Sequence, residues 1–216
     1  MARHSSREKL LDSAERLFAE RGLEGASLRA VNAEAGLSPA ALHYHFGSQQ
    51  TLVEALLERR MPSLMERRRQ LLDTLDTGES EVTARAVLDA LIRPLAELLV
   101  EGGEAGLRYL RLIYRLQADG DLDPQFVIDR WPGGVDRLVP LLRRALPDLP
   151  RDVIQLRLGL AIDVMLRSLA LGTSTISTPA TPFTAQGAGS LDAHVTALLD
   201  FLTGALEAPA TGDFSA

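Results

Sequence analysis

The 216-residue chain has no cysteine, one tryptophan and, among 23 basic residues, a single lysine, Lys9. The first absence excludes disulfides, thiolate metal sites and cysteine nucleophiles. The lysine deficit, with 22 arginines in its place, fits a GC-rich genome better than any functional demand. Aromatic residues make up only 5 % of a chain that is 46 % hydrophobic, so its core must be mainly Leu, Ala, Val and Ile, as in helical bundles. Strand signals are missing too: no alternating β-branched run is bounded by Asn-Gly or Asp-Gly turns. Every apolar run is broken before about 18 residues, and the charged N-terminus leads into no signal-type apolar stretch. A soluble, cytoplasmic, all-α protein is expected, with no membrane partner.

What is present is concentrated at the N-terminus. Leu10, Leu11, Ala14, Leu17 and Phe18 recur at helical spacing, with Arg7, Glu8, Glu15, Arg16 and Glu20 on the other faces. Gly22 ends this helix, and Leu23 and Ala26 are expected in a small core beneath the next two. Ser27 can cap a short second helix, Gly36 supplies the left-handed residue that stops it, and Ser38-Pro39 restarts the chain with a cap and a proline at the first helical position. Two helices joined by a short turn containing glycine set a recognition helix into the DNA major groove.

The segments Leu10-Leu11-Asp12-Ser13-Ala14, Leu17 to Gly22, Ala26-Ser27-Leu28, Ala35 to Ser38 and Leu42-His43-Tyr44-His45-Phe46-Gly47-Ser48 resemble the DNA-binding domain of TetR/AcrR transcriptional regulators over most of residues 5 to 57. The resemblance implies a dimer on a double-stranded operator and a small-molecule effector bound among the middle helices. Three departures stand out: His43 where a tyrosine is common, Pro39 where a lysine often lies, and Gln49-Gln50 where the next helix usually opens with a lysine and an acid. The recognition surface is therefore poor in charge.

Net charge is −6, yet residues 1 to 60 carry eight basic and eight acidic side chains, so the whole deficit lies in the body. Arg3, Arg7, Arg29 and helix N-termini must then supply the phosphate contacts, while the acidic body orients the molecule head-first. Leu42 and Phe46 read as core. Ser38, Pro39, Ala40, Ala41, His43 and Tyr44 are the DNA-facing set, with Ser27, Leu28 and Gln49 at its edges. Ala40 and Ala41 allow close approach to thymine methyls, and Arg29 is the candidate for a guanine contact. His45 is counted with this set, although its place beside Phe46 first suggests a structural role.

Beyond Ser48 the pattern predicts a long connecting helix from 49 to about 76 with a kink at Pro62, then helices over 80–100, 104–118, from 124 to a break at Pro132-Gly133-Gly134, 135–146, 151–172 and 190–207. Residues 173–190, rich in Thr, Ser, Ala, Gly and Pro, read as a long loop. The expected division is a helix-turn-helix domain over 1–47, a helical ligand-binding and dimerisation domain over 48–208 and a frayed tail over 209–216, about nine helices in all. The segment Leu156 to Leu171 is apolar nearly all round, and Leu191, Val195, Leu198, Leu199, Leu202 and Leu206 form a seam on the last helix. These two helices from each of two subunits would make a four-helix interface, unless both are simply buried within one subunit.

For the effector pocket the candidates are Tyr109, Arg111, Tyr114, Phe126, Trp131 and Met165, and the effector is expected to be uncharged or mildly polar, lipid-like or aromatic. A catalytic role finds little support: there is no phosphate loop or nucleophile motif, and His194 has no second ligand at metal spacing on its helix. Asp119, Asp121 and Asp123 alternate as in a calcium loop, but Pro124 follows and the twelfth position lacks glutamate, so the stretch reads as a turn. No cofactor or metal is expected. The leading reading is an effector-responsive repressor; a constitutive DNA-binding protein with a filled core is the alternative.

Overall fold

The computed structural model describes residues 5–78, 81–175 and 191–211, and for 172–175 the backbone alone. Arg3 and most of the predicted 173–190 loop lie outside the described residues. Ten helices and no strand occur among the described residues. In chain order they are α1 (Ser6–Arg21), α2 (Leu28–Glu34), α3 (Pro39–Phe46), α4 (Gln49–Leu57), α5 (Met61–Asp76), α6 (Ala84–Ala118), α7 (Pro124–Arg130), α8 (Leu138–Ala145), α9 (Arg151–Thr175) and α10 (Leu191–Glu207).

Helix starts follow capping chemistry. Ser5 and Glu8 form a reciprocal capping box on α1, Ser27 Oγ accepts from Ala30 N at 3.2 Å, Ser48 Oγ from Thr51 N at 3.1 Å and Thr83 Oγ1 from Ala86 N at 3.1 Å. Asp123 caps α7 by accepting from Gln125 N at 2.8 Å, which gives the Asp119–Asp123 stretch its role as a turn. Three starts lack a side-chain cap: Arg60 and Arg137 stand at the N-caps of α5 and α8, and Ser38 stands at the N-cap of α3 but makes no capping hydrogen bond, so that Pro39 fixes the start of that helix instead.

The predicted helix over 49–76 is two helices. Glu58 to Arg60 interrupt it, and Pro62 lies in the first turn of α5, where its missing N–H costs nothing, rather than at a kink. The two helices expected over 80–100 and 104–118 are both present as the two arms of α6, which starts at Ala84 and turns a non-helical corner at Gly103 (φ 51°, ψ −127°). The corner is tight: a Cβ on Gly106 would lie 2.2 Å from the Leu98 carbonyl oxygen.

The stripe Leu10, Leu11, Ala14, Leu17 and Phe18 is buried as its spacing requires. Helix α1 packs on α2, α3 and α4 and also on α6, so the N-terminal helices share a core with the bundle. Tyr109 is fully buried there, and its hydroxyl donates to the Leu57 carbonyl at 2.8 Å, at the last turn of α4. Burial pushes its pKa up, so the group stays a neutral donor. Beside it Glu15 is buried, with Arg59 Nη1 at 3.1 Å; burial raises its carboxyl pKa and Arg59 opposes that shift. The Arg60 guanidinium lies 5.8 Å from the Tyr109 ring centroid.

Helices α6 and α9 form the centre of the bundle, with α10 against both and α8 against both. The seam on α10 turns inward. Leu198, Leu199, Leu202 and Leu206 are all buried within the protomer, which corrects the expectation that they form the subunit interface. On these two helices the exposed large apolar residues are instead Leu156, Leu160 and Val164 on α9, at 54, 57 and 39 % exposure, and Phe201 on α10 at 64 %, while Val100 on α6 is exposed as well.

Tyr109→Phe leaves the Leu57 carbonyl without its side-chain donor in a buried junction. The expected loss is about 1–3 kcal/mol of unfolding free energy, read from the urea midpoint at constant slope.

Candidate DNA-binding face and effector cavity

The recognition helix is held by one buried side chain that sequence reasoning passed over. Asn32, 4 % exposed, donates from Nδ2 to the Leu28 carbonyl at 3.0 Å and the Pro39 carbonyl at 3.3 Å, and its Oδ1 accepts from Leu42 N at 3.2 Å. One amide thus fixes the angle between α2 and α3 across the turn at Gly36 (φ 66°). Leu42 and Phe46 anchor α3 in the core, and Arg16 pairs with Glu34 to tie α1 to α2.

The opposite face of α3 is open. Pro39, Ala40, His43 and Tyr44 are exposed, Tyr44 to 85 %, and Ser27, Arg29 and Ser38 are exposed on the adjoining segments. Helical spacing places Ala40, His43 and Tyr44 on one surface. The other predicted contacts are placed differently. Leu28 and Ala41 are half-buried against the core. His45 is half-buried, its ring edge-on to Tyr44 at 5.1 Å and tilted to Phe46 at 6.3 Å. Gln49 Nε2 donates to the Leu23 carbonyl at 3.0 Å, an internal tie between α4 and the loop after α1. Arg7 is exposed with its guanidinium 5.3 Å from the Phe46 ring centroid, so it backs the recognition helix.

In the bundle an apolar cavity of about 380 Å³ opens between α5, α6, α7, α8 and α9. Its walls include Leu64, Met65, Leu95, Ile113, Val127 and Leu166, and its polar lining is Arg68, Gln117, Gln155 and Asp163. Arg137 bonds Asp73 at 2.7 Å and also engages Asp76, while Arg144 bonds Asp76 at 2.6 Å, clamping α8 to α5 beside the cavity. A larger groove of about 640 Å³ between α6 and α10 is lined by exposed charged residues, among them Arg85 and Arg93, both engaged in ion pairs.

Of the six predicted pocket residues, Met165 lines the apolar cavity. Tyr109 belongs to the junction with α4. Arg111 Nε donates to the Ala170 carbonyl at 3.2 Å and Tyr114 Oη accepts from Arg167 at 2.9 Å, so both fasten α6 to α9. Phe126 on α7 and Trp131 at its C-cap pack edge to face at 6.0 Å, and it is their helix neighbour Val127 that lines the cavity. Arg68 escaped the sequence reading because it sits in an Arg67-Arg68-Arg69 run that looks like a solvated face. Its phase was the available signal, since it lies four residues from Leu64 and Leu72 and three from Met65, all buried. His194 contacts Ser168 at 2.9 Å, joining α10 to α9. Among the described residues no cluster of three His, Cys, Asp or Glu could hold a metal, and no helix is long and apolar enough to cross a membrane.

Comparison with known proteins gives this geometry its class. Residues 10–56 match the family model for bacterial regulatory proteins of the tetR family, and residues 89–205 match a Tetracyclin repressor-like C-terminal domain. The second match alone covers more than half of the chain, and the protein belongs to the TetR family. It is 31 % identical to the HTH-type transcriptional repressor KstR2 of Mycolicibacterium smegmatis over 103 residues, 47 % of this chain and 50 % of that protein. With the repressor AcnR of Corynebacterium efficiens it shares 28 % identity over 183 residues, 79 % of this chain and 85 % of AcnR. The chain thus aligns with about half the length of the KstR2 relative. Among solved structures, the ketosteroid transcriptional regulator KstR2 of Mycobacterium tuberculosis superposes with a TM-score of 0.58 at 22 % identity, over 95 % of each chain. A TetR-like regulator from Rhodococcus sp. RHA1 gives 0.59 at 21 %, over 95 % of this chain and 98 % of that one. These structural likenesses establish the fold.

Asn32→Ala removes a buried hydrogen-bonding hub without touching the exposed face. The expected cost is about 1–3 kcal/mol of stability, with a loss of DNA affinity that does not depend on sequence, checked by urea unfolding and fluorescence anisotropy.

Proposed function

We propose that the protein is an effector-responsive transcriptional repressor that binds a pseudo-palindromic operator as a homodimer, with residues 1–47 as the DNA-binding domain and 48–208 as the effector and dimerisation domain. The observation that carries this reading is the open face of α3, where Ala40, His43 and the 85 % exposed Tyr44 project from a helix pinned to its neighbour by Asn32. Small residues there permit close approach to base edges, and Arg29 on α2 supplies a guanidinium beside them. The names of the relatives, repressors both, support the direction of regulation.

The dimer forms through α9 and α10, where Leu156, Leu160, Val164 and Phe201 give a monomer an apolar patch that water disfavours. The apolar cavity supports the effector reading over a constitutive binder with a filled core. Coupling runs from the cavity walls on α5 and α6 to the DNA head through Tyr109 and the Leu57 carbonyl. An effector acts by preferring one of two head positions, within the usual coupling range of about 1–3 kcal/mol.

Selection of the protein's sites from a random duplex library should return an inverted repeat with half-sites about one helical turn apart or slightly more. Repeated with Arg29→Ala, it should relax one base position per half-site at a cost of about 1–3 kcal/mol. Enrichment of sites without two-fold symmetry would refute the dimeric reading, and a uniform loss with Arg29→Ala would move that residue to the phosphate contacts.

Sedimentation separates the two leucine stripes. Leu160→Glu should give a folded monomer with operator affinity lowered by about two orders of magnitude, because paired half-sites gain from effective concentration. Leu202→Glu, placed in the protomer core, should instead lower the melting temperature steeply.

A further inference from the structure

Arg68 is 3 % exposed and, among the described residues, is the buried cation that no carboxylate accompanies. Its Nη2 donates to the Leu91 carbonyl at 3.1 Å and its Nη1 meets the Met65 sulfur at 3.4 Å, while Nε has no partner. Leu91 is next to Ala90, whose carbonyl loses its helical donor to Pro94. A guanidinium offers five donors in a planar fork, and these two contacts, one of them to a weak sulfur acceptor, use only part of it. Burial alone pulls the Arg68 pKa down to about 10, which still leaves the group charged at neutral pH. An apolar bundle holding such a group has left a charge unsatisfied, and the same side chain lines the 380 Å³ cavity.

We propose that the cavity takes an amphipathic carboxylate, an apolar body bearing one anionic head that pairs with Arg68. The inference rests on the reading of this cavity as the effector site and departs from the expectation of an uncharged or mildly polar effector. A carboxylate has two oxygens at the spacing of the guanidinium fork, and it meets donors that a neutral ligand leaves unpaired. One cation matches one negative charge. Asp163, the carboxylate in the lining, is on the exposed side of α9 and disfavours a second anionic group at that end. The apolar body lies against Leu64, Leu95, Ile113 and Leu166, in a volume at the small end of ligand pockets.

The test is calorimetric titration of the full chain with decanoate and with 1-decanol, each below its aggregation limit, in wild type and in Arg68→Met. Decanoate should bind wild type at least about tenfold more tightly than decanol, and Arg68→Met should abolish that preference while keeping decanol binding. Equal affinities in wild type, or no binding of decanoate, would overturn the proposal. If Arg68→Met does not fold, the wild-type comparison decides, together with Leu166→Trp, which fills the cavity and should abolish binding of both. Operator affinity measured in the same samples separates the two readings. Decanoate that binds preferentially yet leaves operator affinity unchanged keeps the Arg68 site and removes its effector role; release by decanol as effective as release by decanoate keeps the effector role and removes the carboxylate.

Discussion

The hydrogen bond from Tyr109 to the Leu57 carbonyl ties α4, which packs on α1 and α3 of the N-terminal domain, to the bundle. It lies where α4 ends, in a junction that α1 and α6 close from either side. Glu15 and Arg59 are drawn into the same space, and Arg60 lies against the tyrosine ring. A protein interior of this kind is packed to the density of a crystal, so it passes on a displacement rather than absorbing it. On the proposed reading, the head follows α6 and α6 follows the occupant of the cavity.

The bend at Gly103 divides α6 into two working lengths. The first carries Leu91 and Leu95 into the cavity wall beside α5, and the second carries Tyr109 to the head and Ile113 and Gln117 back to the cavity. Tyr109 and the cavity residues Ile113 and Gln117 thus lie within little more than about two turns of one helix after the bend. The charged clamp of Arg137 and Arg144 on Asp73 and Asp76 is mostly solvent-exposed, and such pairs are individually weak; their effect is to set where α8 stands rather than to hold the bundle together.

What the sequence disclosed was whatever local chemistry determines. The caps at Ser27 and Ser48, the stop at Gly36 and the apolar stripe of α1 are decided within a few residues, and the helix-turn-helix was legible from them. Pro62 was ambiguous because a proline kinks a helix interior and also starts a helix, and only packing on either side chooses between the two. The leucines of α10 were read as an interface because a periodic seam announces that it will be buried without naming its partner; α6 and α9 of the same protomer claim it. Asn32 and Arg68 were missed for one shared reason. Each is polar at a position whose helical phase points inward, and its meaning comes from groups outside its own helix, the Leu42 amide in one case and the cavity in the other.

The chain has a single indole, Trp131, 9 % exposed and packed edge to face on Phe126 under the Arg130 guanidinium. It closes the helix whose Val127 faces the cavity. Its ultraviolet emission consequently originates at one place, next to the chamber and far in sequence from the DNA-facing helix. The molecule carries its own optical probe, one that needs no label and no operator to register what enters the bundle.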